Sequence, residues 1–90
     1  MPGKYEEVVV EAAVARFLSS FVSQRATFTL RMLKHAAPEL RKLPPRSVSR
    51  AVRVSLERGV ADLRGRKWVL LAFHPRSKRA RACYKAVVLR

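Results

Sequence analysis

The stretch PPRSVSRAVRVSLERG, residues 44–59, decides how the chain is read. Pro44 and Pro45 bar an earlier helix start, and Ser47 offers a hydroxyl cap. Val48, Ala51, Val52, Ser55 and Leu56 recur at three- and four-residue steps, so they form one buried stripe. Gly59 is placed to end the helix in a left-handed conformation. The pattern predicts a helix over 46–58. Arg46, Arg50 and Arg53 then fall within about one-sixth of a turn of one another, opposite the stripe. A row of like charge repels itself, so it is either a solvated face or a surface awaiting a polyanion. The surrounding sequence has to decide.

Downstream, the period changes. KWVLLAF (67–73) and CYKAVVL (83–89) are rich in β-formers, and HPRSKRAR (74–81) between them has the turn-formers Pro75 and Ser77. Two apolar strands joined by a basic tip predict an antiparallel hairpin that packs one face on the helices. Upstream, Val10, Ala13, Val14, Phe17, Leu18 and Phe21 predict an amphipathic helix from about Tyr5 to Val22. RATFT (25–29) reads as a short extended linker. Thr29 is an N-cap for LRMLKHAA, with Leu30, Met32 and Leu33 facing inward, and Pro38 limits that helix. PELRKLPP (38–45) is the connection to the next helix, anchored by Leu40 and Leu43. The first and third helices are too short to persist alone and must pack together.

Ninety residues with 49% hydrophobic composition make a single folded domain, residues 1–90, rather than a disordered chain. The charge is extreme: 20 Lys and Arg against 6 Asp and Glu, a net +14. It is also uneven. Residues 1–24 are slightly acidic, while from Arg25 onward the only acids are Glu39, Glu57 and Asp62, and none follows Arg64. Such self-repulsion destabilises a compact chain and points to a polyanionic partner, nucleic acid before an acidic membrane surface.

Other classes are set aside on the same grounds. WVLLAF is too short to span a bilayer, and MPGKYEE is no signal-peptide core. A single cysteine, Cys83, fits a reducing, cytoplasmic interior and a small buried side chain. His35 and His74 have no metal-ligand spacing, and Trp68 reads as a core plug. No carboxylate pair, Ser-His-Asp set or glycine-rich phosphate loop is visible. The expectation is a binder, with no catalysis, cofactor or metal.

Helix, extended piece, helix, turn, helix, hairpin: in this order the chain resembles the winged helix-turn-helix family of DNA-binding domains, from about Tyr5 to Leu89. The resemblance is carried by the Thr29–Ala37 helix, the PELRKLPP turn, RSVSRAVRVSLERG and KWVLLAFHPRSKRARACYKAVVL. It implies an α+β fold of three helices and a C-terminal wing, with the N-terminal end of helix 46–58 in the major groove of double-stranded DNA. Arg46, Ser47, Ser49, Arg50 and Arg53 would then meet the duplex, arginine gripping guanine or phosphate and serine tolerating either. Arg76, Lys78, Arg79 and Arg81 on wing 74–81 would lie on the backbone or minor groove as positioning contacts. Thr29 and Lys34, around the second helix, are candidate phosphate contacts.

The role implied is a small transcriptional regulator or a nucleoid-associated protein. The alternative is an RNA-binding, ribosomal-type structural protein. A homodimer is a third option, because Ala12, Ala15 and Ser19 on the first helix permit close helix approach and a two-fold would suit a palindromic site.

Overall fold

The computed structural model describes residues 2–89, with side chains from Glu6 onward. Met1 and Arg90, the ends of the expected domain, lie outside the described residues. Three helices, a short 3₁₀ helix and a four-stranded antiparallel sheet make an α+β chain. Helix α1 spans Pro2–Ser19, strand β1 Arg25–Thr29, α2 Leu30–Ala36, the 3₁₀ helix Pro38–Lys42, α3 Pro45–Arg58, β2 Val60–Ala61, β3 Lys67–His74 and β4 Cys83–Val88. No described helix is long and apolar enough to cross a membrane.

The stripe expected on α3 is buried in full: Val48, Ala51, Val52, Ser55 and Leu56 all face the core. From α1, Val10, Ala13, Val14 and Leu18 meet it, with Phe17 and Phe21 half-buried alongside. Helix α3 starts one residue before the expected boundary. Pro44 is its cap residue and Pro45 its first helical residue, so Ser47 is not the cap. Proline's fixed φ suits that position, and the N–H it lacks would have had no partner there. At the far end Gly59 has φ +97°, a region that side chains avoid, and its amide closes the helix on the Ser55 carbonyl at 2.9 Å.

The extended linker is a full strand. β1 pairs with β4 along its length, from Arg25 opposite Val87 to Thr29 opposite Cys83, giving the sheet order β1-β4-β3-β2. Ala26, Phe28, Trp68, Tyr84 and Ala86 turn to the helices and are buried, whereas Arg25, Thr27, Lys67 and Lys85 are exposed. Cys83 lies half-buried on that second side, not in the core as expected. Thr29 caps α2 as expected, its Oγ1 accepting from the Met32 amide at 3.3 Å. Leu33 is buried and Leu30 half-buried, but Met32 points out and is 45% exposed. Met32 lies one step off the line of Leu33 on a helix of only seven residues, too short to bury both faces.

One residue breaks the two-residue alternation of β3. The register shifts between Leu70, opposite Ala86, and Ala72, opposite Lys85. The extra residue, Leu71, is 57% exposed. Without this bulge Phe73 would point away from the helices; with it, Phe73 stands opposite Tyr84 and packs against the core.

Asp62 ties these pieces together. Its buried carboxylate accepts from the Arg64 amide at 2.8 Å, the Arg66 amide and Nε at 2.9 Å each, and Trp68 Nε1 at 2.9 Å. Arg66 continues the network by donating to the carbonyls of Leu18 in α1 and of Phe21 and Ser23 just after it. Helix α1 ends at Ser19, short of the expected Val22, where the Ser20 and Phe21 amides bond three residues back to Phe17 and Leu18 and tighten the chain. Burial pushes the Asp62 carboxyl up, but the Trp68 donor, the two amides and the Arg66 guanidinium outweigh it and hold the group at about 2, against an ordinary 3.8.

Removing such a buried partner costs about 3 kcal/mol, so Asp62→Ala is expected to show a much lower urea midpoint at neutral pH. Because the folded-state value is depressed, this contribution is fully present above 3.8 and lost as the pH falls through about 2. Urea midpoints of the parent chain should therefore drop across that window, and those of Asp62→Ala should drop less.

Candidate nucleic-acid interface

Burial of the α3 stripe forces the arginine row outward, but not uniformly. Arg46 and Arg50 are exposed, while Arg53 is half-buried with its guanidinium 4.8 Å from the centre of the Phe73 ring. That ring is presented by the β3 bulge. The Arg53 Nε is buried and makes no hydrogen bond among the described residues. Ser47 is half-buried in the first turn. Ser49 sits on the same flank as Arg53, turned to the sheet, where its Oγ and the Tyr84 Oη are 2.5 Å apart. The expected row of outward side chains thus divides: Arg46 and Arg50 point to solvent, and Ser49 and Arg53 attach α3 to the hairpin.

That attachment is built on aromatic rings. Phe73 and Tyr84 are 5.0 Å apart, Tyr84 stacks on Phe28 at 5.4 Å, and Phe28 meets Phe17 edge-on at 5.2 Å. Burial raises the Tyr84 hydroxyl above its ordinary value, against the opposing pull of the Ser49 hydrogen bond and the Arg53 charge. Tyr84 therefore stays neutral and hydrogen-bonded. Since Phe73 and Tyr84 lie one residue from the ends of their strands, the first turns of α3 are set beside the distal end of the hairpin.

The hairpin tip is exposed from Pro75 to Arg81. It is nonetheless shaped: the Ser77 amide donates to the Ala80 carbonyl at 2.9 Å, and the Ser77 Oγ accepts from the Ala80 amide at 3.1 Å. Arg76, Lys78, Arg79 and Arg81 are the exposed cations of this tip. Among the described residues, the ion pairs are Arg16 with Glu39 and Arg66 with Asp62, so no tip cation has an acidic partner there.

Pairing of β1 with β4 brings the start of α2 against the base of the tip. A cleft of about 330 Å³ is lined there by Thr29, Leu30, Arg31, Arg76, Arg81 and Ala82. Thr29, Arg76 and Arg81 were legible as candidates. Arg31 was not, because RATFT read as a linker gave no reason to bring α2 to the hairpin. Lys34, one turn further on, is half-buried and does not line the cleft.

The first-helix surface read as a contact for a second copy is largely occupied. Ala15 is buried, and the Ser19 Oγ donates to the Ala15 carbonyl and accepts from the Leu63 amide. No group of three or more His, Cys, Asp or Glu side chains comes together among the described residues. Chemically, the surface offers guanidinium and ammonium donors and hydroxyls, and none of its cations is ion-paired among the described residues. Comparison with protein-family models, with curated proteins and with solved structures gave no match.

The Ser49–Tyr84 contact is open to a double-mutant cycle. Ser49→Ala and Tyr84→Phe should each lower unfolding free energy by about 1 kcal/mol. The double variant should lose clearly less than their sum, since the second change removes a group already left unpaired. Additive losses in urea melts would mean that the two hydroxyls do not depend on each other.

Proposed function

We propose that the chain is a double-stranded DNA-binding protein of winged-helix architecture, acting in transcriptional regulation or chromosome association. The observation that carries this reading is the joint between α3 and the hairpin. Through Ser49–Tyr84 and Arg53–Phe73, the helix that exposes Arg46 and Arg50 is joined to the hairpin whose cationic tip has no acidic partner among the described residues. The order of elements and the β1-β4-β3 arrangement of the sheet support the winged-helix reading. In it, the N-terminal half of α3 enters the major groove with Arg46 and Arg50, and the tip 74–81 follows the backbone or minor groove. Arg53 keeps its guanidinium edge for phosphate while its face rests on Phe73. Arg31, Arg76 and Arg81 around the cleft would add backbone contacts, which position the protein without reading sequence.

Binding of this kind is governed by counterion release. With six or more phosphate contacts, affinity for duplex DNA should fall by about 10³-fold or more between 50 and 200 mM salt, measured by fluorescence anisotropy. Arg50→Ala should cost about 1–3 kcal/mol, unequally among DNA sequences, if it grips a base edge. Equal loss on every sequence reassigns it to phosphate. Joint replacement of Arg76, Lys78 and Arg79 by Ala should weaken all duplexes alike, and unchanged affinity would remove the wing from the interface. Structured RNA that outcompetes duplex DNA would favour the ribosomal-type alternative and overturn the proposal.

A further inference from the structure

A second surface is built on different chemistry. Between α1, α2 and the 3₁₀ helix lies a groove of about 530 Å³, lined by Phe17, Met32 and Ala36 and by Arg31, His35 and Arg41. A smaller hollow of about 160 Å³ shares Phe17 and Ala36 with it and extends over Ala13, Arg16, Ser20 and Ala37. No residue of α3 or of the hairpin lines either one. The floor is apolar, and Met32, 45% exposed, stands open in it. The rim is basic. The acid of the 3₁₀ helix, Glu39, is already held by Arg16, while Arg31 and Arg41 have no ion-pair partner among the described residues.

We propose that this groove docks an acidic protein segment carrying apolar anchors. Apolar side chains would cover Phe17, Met32 and Ala36, and carboxylates on either side would meet Arg31, Arg41 and His35. A phosphodiester strand fits less well, because it has charge for the rim and nothing for a methionine floor. A second copy of this chain also fits less well, since a net charge of +14 repels itself. An apolar centre ringed by charge is the arrangement expected where an anchor side chain supplies the affinity and the rim supplies the choice of partner. The groove shares Arg31 with the cleft at the hairpin base, whereas Phe17, Met32, His35, Ala36 and Arg41 belong to the groove and not to that cleft.

The test uses the full chain with carbon-13 in its methionine methyl groups. The probe is an Asp-rich synthetic peptide of about three helical turns, with Phe and Leu one turn apart, set against the same peptide with both anchors changed to Ser. The anchored peptide should shift the Met32 methyl signal saturably, and the Ser version should bind roughly tenfold or more weakly. Ala36→Glu and Arg41→Glu, both at exposed positions of the groove and both keeping Met32 as reporter, should each weaken the anchored peptide by roughly tenfold with an unchanged thermal melt. Equal binding of the two peptides would reduce the effect to general attraction to a basic protein and overturn the proposal. So would a Met32 shift produced as strongly by a short DNA duplex, or by raising protein concentration without peptide.

Discussion

The hairpin can present its tip to a partner only if its base is fixed, and the base is fixed by one carboxylate. Asp62 lies in the turn between β2 and β3 and gathers the indole of Trp68, two backbone amides and the Arg66 guanidinium. Arg66, stacked 5.1 Å from the Trp68 ring centre, reaches from there to the Leu18 carbonyl of α1 and the Phe21 carbonyl just beyond it. One network thus joins the exit from α3, the start of β3 and the end of α1. A buried carboxylate is tolerated only when its lone pairs are satisfied, so geometry here is dictated by the need to keep every donor in place. In a chain with six acids, this one is wholly committed to architecture.

A second fixation sits at the other end of the same hairpin. Ser49–Tyr84 and Arg53–Phe73 join α3 to the distal strands, and the β3 bulge supplies Phe73 to that joint. The strands that carry the tip are thus fixed to α3 near one end and to α1 near the other. In the proposed complex, strands fixed in advance lower the ordering cost of binding.

The α3 stripe, the Thr29 cap, the hairpin and its basic tip could all be read from the chain. They are local patterns: a helical period, a hydroxyl three residues before the amide it caps, two β-rich runs around a turn. What could not be read depends on long-range pairing. RATFT is too short to declare itself a strand without its partner β4, so Arg31 was separated from Arg76 and Arg81. Asp62 and Arg66 lie four apart in a loop, and nothing local reveals that the guanidinium ends on α1. The doubled leucine at 70 and 71 did break the alternation of β3. Its consequence, a ring placed under Arg53, depends on where α3 comes to rest. Ser49 and Arg53 belonged to the right helix face by angle alone, but a packed helix has flanks as well as a front.

Composition by itself overstates the binding surface, because arginine has two uses here. Arg66 makes hydrogen bonds from Nε and both terminal nitrogens to four acceptors, a fork that a lysine ammonium on its flexible stem could not reproduce. Arg53 lays a planar group over Phe73, again a contact that favours guanidinium. Arg16 is held by Glu39. Some of the preference for arginine over lysine is therefore structural, and a count of charges does not separate the two uses. Position does. After the architectural arginines are set apart, Arg46, Arg50 and Arg58 remain on α3 and Arg76, Lys78, Arg79 and Arg81 on the tip, all exposed and without acidic partners among the described residues, as are Arg25, Arg31, Arg41, Lys42, Arg64, Lys67 and Lys85 elsewhere. The fold gains no ion pair from them among the described residues and carries their mutual repulsion. It is on this residue of unused charge, rather than on the total of +14, that the proposal of a polyanionic partner rests.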